Sequence, residues 1–143
     1  MCGYKKSETE DGRQVHYASG AIIERDGKYL LMDRMHPPFG FACSAGHIDE
    51  GETPEETVVR EVEEETGLKV TKYELVMNTV DEGHACSHGV DVHEWSVYRC
   101  EVTGEMKFNL EEAKSIDWYS SEEMKQIKIE PIWEYIFKKL KII

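Results

Sequence analysis

Residues 46–68 read GHIDEGETPEETVVREVEEETGL, and this stretch decides the fold. Within it, Arg60-Glu61-Val62-Glu63-Glu64-Glu65 sets five charged residues around one apolar residue. Residues three and four apart on a helix share a side, so Glu61, Glu64 and Glu65 fall on one face and Glu63 points elsewhere. Like charges this close repel by roughly a few tenths of a kcal/mol per pair even on an exposed helix. Such crowding makes physical sense when a bound cation neutralises it, and an oxygen-only ligand set suits hard ions such as Mg²⁺ or Mn²⁺. An isolated Glu-rich helix is more commonly a plain solvated face, so the spacing of the whole stretch has to carry the argument.

The helix is punctuated at both ends. Thr53 fits the N-cap, Pro54 the first helical position, and Glu56 completes a capping box. Gly67 fits the position just past the C-terminus. Val58 and Val62 give an apolar stripe beside the carboxylate face. One side can therefore anchor to a sheet while the acids face a cleft.

Working outward, His16–Glu24 and Tyr29–Asp33 flank Arg25-Asp26-Gly27-Lys28, the signature of a β-hairpin with an Asp-Gly turn. Arg34–Gly40 contains Pro37-Pro38 and reads as a loop. Phe41–Ile48 is a short strand leading into the helix. Val70–Val80, Val90–Val102 and Ser115–Tyr119 read as strands, and Ser120–Ile127 as a helical turn. Pro131–Leu140 is an amphipathic helix with Trp133, Ile136 and Phe137 on one side. Residues 1–14 are polar, which predicts a flexible N-terminus ahead of a single domain at 15–143. The pattern is α/β (α+β), a mixed sheet with helices packed on it.

The 143 residues, 40% of them hydrophobic, suffice for one domain with a real core. The sequence has no internal repeat, no apolar run long enough to cross a membrane and no apolar leader at residues 1–6. Cys2, Cys43, Cys86 and Cys100 form no close pair, which points to free thiols in a reducing cytoplasm. Net charge is −12, from 17 basic and 29 acidic residues, and nine of those acids lie between Asp49 and Glu65. The surplus is thus partly a local site. It argues against a duplex nucleic-acid partner, which would want a basic face, but not against a small phosphorylated ligand, because bound cations reverse the local field.

The spacing resembles a complete Nudix box. Gly46 is followed by Glu52, Arg60-Glu61, the apolar Val62, Glu64-Glu65, Gly67 and the apolar Leu68. Seven positions have fixed identity, and at roughly 6% usage per residue type a chance match has odds on the order of 10⁻⁷. The resemblance implies an α/β/α sandwich and hydrolysis of a diphosphate linkage in a nucleoside diphosphate joined to another group. It implies Glu61, Glu64, Glu65 and the main-chain carbonyl of Ala45 as ligands to Mg²⁺ or Mn²⁺, with Glu64 also in the catalytic set. Arg60 then orients the carboxylates, with Glu52 as its partner. Where family members commonly carry Pro-Gly-Gly before the box, this chain has Ser44-Ala45-Gly46. Gly46 and Gly51 permit the turns of the leading loop.

The proton acceptor is less defined. Relatives often take it from the box or from a carboxylate on a later loop. Glu112, with its neighbour Glu111, is the leading candidate there, and Asp81, Glu82 and Glu94 are alternatives. Arg34 is a candidate phosphate contact. Phe41 is a candidate for stacking on a base, alongside Phe39, Tyr17 and Trp95. The segment Asp81–Trp95 holds His84, Cys86, His88 and His93, spacings that can bind zinc, line the cleft or form a plain polar connection. The expected partner is a small nucleotide-type diphosphate, with no nucleic acid and no membrane, and a homodimer left open. The alternatives are a non-catalytic nucleotide- or protein-binding module and an isomerase on the same fold.

Overall fold

The computed structural model describes residues 3–82, 90, 92–107, 111 and 113–143. Among them are eight strands and three helices in the order β1 (Lys6–Glu8), β2 (Gln14–Arg25), β3 (Lys28–Arg34), β4 (Phe41–Ala42), β5 (Ser44–His47), α1 (Pro54–Thr66), β6 (Lys69–Glu82), β7 (Val92–Thr103), β8 (Ala113–Ser120), α2 (Ser121–Met124) and α3 (Pro131–Lys139). The strands form one mixed sheet with the path β4-β3-β2-β7-β6. Strands β1 and β5 also pair with β2, and β8 pairs with β3.

Strand β2 is the trunk of this sheet. It runs parallel to β7 from Val15↔Val92 to Ile23↔Cys100. Antiparallel to it, β5 pairs from Ala18↔His47 to Ala21↔Ser44. The β2–β3 hairpin closes at Arg25↔Lys28. Asp26 (φ 52°) and Gly27 (φ 77°) both lie in the left-handed region, as a two-residue turn matched to strand twist requires.

Alternation along the strands splits the core in two. Ile22 and Leu31 point to the face covered by α3, where Trp133, Ile136 and Phe137 are fully buried. Ala21, Ile23, Leu30 and Met32 point to the opposite face, under Val58 and Val62 of α1. The result is the sandwich expected from the sequence, with a helix anchored on each side of the sheet.

Two details depart from the sequence reading. The single strand expected over 41–48 is two: β4 pairs with β3 at Met32↔Ala42, while β5 pairs with β2. The chain changes ladder at the buried Cys43. Within the stretch expected to be flexible, Lys6–Glu8 pairs with Gln14–His16. The loop expectation for Arg34–Gly40 holds, with a cis bond between Pro37 and Pro38. Among the described residues no helix is long and apolar enough to cross a membrane.

Helix α1 has the predicted caps. Glu56 N donates to Thr53 Oγ1 (3.1 Å) and Thr53 N to Glu56 Oε1 (2.9 Å). Gly67 adopts φ 79° and its N–H donates to Glu63 O. A Cβ there would approach Lys107 N at 3.0 Å. Gly67→Ala is therefore expected to lower unfolding free energy by roughly 1–2 kcal/mol, read from the midpoint of urea denaturation; an unchanged midpoint would show that this cap contributes little.

Candidate active site

Arg60 is the organising side chain. Its Nε and Nη2 donate to the two oxygens of Glu52 at 2.8 and 3.0 Å. Nη1 donates to Glu61 Oε1 (2.8 Å) and Glu64 Oε2 (3.3 Å), and Nη2 also reaches His47 O (3.4 Å). Asp49 Oδ2 lies 3.6 Å away. One guanidinium thus ties the leading loop, β5 and two carboxylates of α1 together, a use suited to its planar fork of donors.

Glu52 receives more than Arg60. Thr57 Oγ1 donates to it at 2.6 Å and Asp49 N at 3.3 Å. Hydrogen bonding from Arg60 is the main reason its pKa falls from 4.5 to about 2, with Thr57 adding to the shift and burial opposing it. Arg60 is correspondingly raised, chiefly by Glu52. A loop carboxylate held this way stays ionised across the physiological range.

Glu65 turns toward the sheet, where Ser44 Oγ and Ala45 N donate to its Oε1 at 2.6 and 3.0 Å. Glu61 lies against Gly46, and a Cβ on Gly46 would overlap the Glu61 carboxyl group. The expected need for glycine at Gly46 is therefore corrected in kind. Its φ lies outside the left-handed region, and what the site requires is space. Gly51, with φ 81°, does serve the turn. Ala45 sits in regular β5 opposite Gly20 with no positive φ, so the departure from the family's glycine costs no backbone strain. Of Glu61, Glu64 and Glu65, Glu64 is the most open, with 60% of its side chain exposed. Glu63 is exposed and does not line the cleft.

These residues converge. Ala45, Gly46, Glu61, Glu64 and Glu65 line one cleft of about 330 Å³, together with Arg34, Asp81, Trp95, Glu130 and Trp133. That volume suits a small ligand. Arg34 reaches the cleft, but its Nε donates to Pro38 O (2.7 Å) and His36 O (3.3 Å), so it also braces its own loop. Phe41 is not among the lining residues. Its ring packs edge-to-face on Tyr119, 5.4 Å between centroids; it starts β4, which pairs with the same strand, β3, as the Tyr119 strand β8 does. Tyr17 and Phe39 are likewise engaged elsewhere, Tyr17 with Ser7 and Phe39 with Lys114.

Of the proton-acceptor candidates, Asp81 lines the cleft, while Glu82 pairs with Arg13 at 3.2 Å. Glu111 contributes its main-chain oxygen to His36 (3.0 Å). Glu112 lies outside the described residues, as do His84, Cys86 and His88. Sequence reasoning missed Glu130, only 3% exposed, which caps α3 through Ile132 N (3.4 Å) and faces the cleft. Its signal was there: an acid immediately before Pro131 at the start of an amphipathic helix. Also missed were His16 and His47, which stand together with His93; His47 and His93 line the cleft.

A family profile described as NUDIX domain matches residues 14–140. The chain belongs to the Nudix family. Over 53 residues it is 53% identical to the ADP-ribose pyrophosphatase of Methanocaldococcus jannaschii, covering 36% of this chain and 31% of that one. Over 57 residues it is 47% identical to the human NAD-capped RNA hydrolase NUDT12, covering 38% and 12% respectively. The chain thus spans less than a third of the length of these curated relatives. Among solved structures, a MutT NUDIX hydrolase from Burkholderia pseudomallei superposes with TM-score 0.70 at 25% identity, over 78% of this chain and 87% of that one. The Nudix box accordingly sits on α1 and its leading loop, as its spacing implied.

Because the folded pKa of Glu52 is depressed, its contribution to stability is complete above about pH 4.5 and is lost as pH falls toward about 2. Glu52→Gln is expected to lower Tm at pH 7, with the gap from wild type closing as pH drops through that window. A gap independent of pH, read by calorimetry, would contradict the ionic clamp.

Proposed function

We propose that this Nudix chain is a divalent-cation-dependent hydrolase that cleaves the diphosphate linkage of a small nucleoside diphosphate derivative. The observation that carries this reading is the convergence of Glu61, Glu64, Glu65 and Ala45 on one small cleft. The donor set fits a hard cation: three carboxylates and a carbonyl, on a helix face where Gly46 leaves room beside Glu61. Bound there, Mg²⁺ or Mn²⁺ would neutralise non-bridging phosphate oxygens and lower the pKa of a bound water.

The chain's own residues have separable parts in this scheme. Arg60 and Glu52 fix the orientation of Glu61 and Glu64, a positioning role. Ser44 Oγ and the Ala45 N–H aim Glu65. Glu64, the most exposed carboxylate of the face, would take a proton from water in this scheme, with Asp81 and Glu130 as further carboxylates along the wall. Trp95 Nε1 is buried without a hydrogen-bond partner among the described residues and offers a donor to a ligand oxygen. Trp95 and Trp133 pack edge-to-face, 5.7 Å between centroids, and give the cleft an apolar wall for the nucleoside or the leaving group. The net charge of −12 favours a compact ligand over a long phosphate backbone.

The name of the M. jannaschii relative makes ADP-ribose the first compound to test, followed by NAD and other diphosphate-linked nucleotides. With Mg²⁺ or Mn²⁺ present, release of a nucleoside monophosphate is expected; intact substrates across the panel would favour a binding module. Glu64→Gln is expected to cut kcat by about 10²-fold or more, while Glu63→Gln stays within about twofold because its side chain leaves the metal-facing side. Equal losses at both positions would disprove the assigned face.

A further inference from the structure

Three histidines from three strands meet beside the cleft, and the proposed hydrolysis uses none of them. His16 on β2 stands directly across from His93 on the parallel neighbour β7. His47 on β5 stands across from Ala18, two residues along β2 from His16. Residues two apart on a strand share a face, so the register projects all three imidazoles to the same side of the sheet. Their ligand atoms lie within 4.8 Å of one another. Ring centroids are 5.0 Å (His16–His47), 5.8 Å (His47–His93) and 6.1 Å (His16–His93) apart.

We propose that His16, His47 and His93 form a three-imidazole site for a borderline transition-metal cation of the Zn²⁺ class, separate from the carboxylate site on α1. Zn–N bonds of about 2.0–2.1 Å in tetrahedral geometry separate the nitrogens by roughly 3.4 Å, so side-chain rotations that close about 1–1.5 Å complete the triangle. His16 and His93 are 3% and 4% exposed and stand on hydrogen-bonded strands, which limits their freedom. His47 is only half-buried and is the ring with room to adjust. Tyr4 braces it, stacked at 4.6 Å, and meets His16 edge-on at 5.8 Å.

The ligand chemistry sorts the two sites. Imidazole nitrogens select Zn²⁺, Co²⁺, Ni²⁺ or Cu²⁺ over Mg²⁺, whereas carboxylate and carbonyl oxygens suit Mg²⁺ and Mn²⁺. Three histidines leave a fourth tetrahedral position for water or a ligand oxygen. That position faces the cleft, since His47 and His93 both line it. Asp81, opposite His93 on β6, adds negative potential on the same wall.

The test is Co²⁺ titration of the metal-stripped full chain in excess Mg²⁺, which occupies the carboxylates. The expected result is one equivalent bound, with the intense visible bands of four-coordinate Co²⁺, displaced by Zn²⁺. His47→Ala should weaken binding by on the order of 100-fold and remove the bands, while the exposed His36→Ala keeps them. Circular dichroism checks that His47→Ala is folded. Independently of any variant, ¹⁵N spectra of the histidine rings should show Zn²⁺ shifting three resonances, with His36 unmoved. Weak six-coordinate bands alone, bands retained in folded His47→Ala, or Zn²⁺ shifts that fall on His84 and His88 in place of His16 and His47 would each overturn the proposal. Loss of nucleotide hydrolysis is not the readout, so failure of this site and failure of the hydrolase reading remain distinguishable.

Discussion

The Arg60 guanidinium is the constraint on which the site depends. Without it, the acids of α1 and of the leading loop would face one another uncompensated. With it, Glu52 is held by two hydrogen bonds from Arg60 and Glu61 and Glu64 are drawn to one side of the helix. A single positive charge cannot neutralise four carboxylates. The arrangement therefore keeps a local excess of negative potential while fixing where each oxygen points, the condition under which a divalent cation binds without reorganising its ligands.

The sheet supplies the other half of that order. β5 runs antiparallel to the trunk strand β2, which places Ser44 and Ala45 where they can donate to Glu65. On the far side of β2, β7 brings His93 and Trp95 to the same cleft. Helix α3 then closes the cleft with Trp133, whose ring lies 2.6 Å from where a Cβ on Gly20 would stand. Gly20 is thus a packing requirement: any larger residue there would push Trp133 off the trunk strand and loosen one wall of the site.

What the sequence discloses follows how local each interaction is. The capping box at Thr53–Glu56, the Asp26-Gly27 turn and the Glu61/Glu64/Glu65 face each depend on residues a few positions apart, and periodicity exposes them. The box spacing also anticipates the Arg60–Glu52 pair. The strand break at Cys43 was not legible, because it reflects a change of partner from β3 to β2 and not a change of local propensity. Phe41 carries an aromatic label that suits a ligand or a core equally, and only its ring contact with Tyr119 assigns it to packing. The histidine triad was hidden most thoroughly. Its members come from three strands far apart in the chain, and only the registers of β5 and β7 on β2 bring them together. Sequence proximity groups His93 with His84, Cys86 and His88, whereas the sheet sets it against His16.

The most direct measurement is Mn²⁺ binding to the metal-stripped full chain, followed by the loss of the free-ion electron paramagnetic resonance signal. It requires no knowledge of the substrate. The account predicts saturable binding that Glu61→Gln weakens by about tenfold or more and that His47→Ala leaves essentially unchanged, since imidazoles are not the hard-cation ligands. Absence of saturable Mn²⁺ binding in the folded wild-type chain, or full affinity in Glu61→Gln, would contradict it.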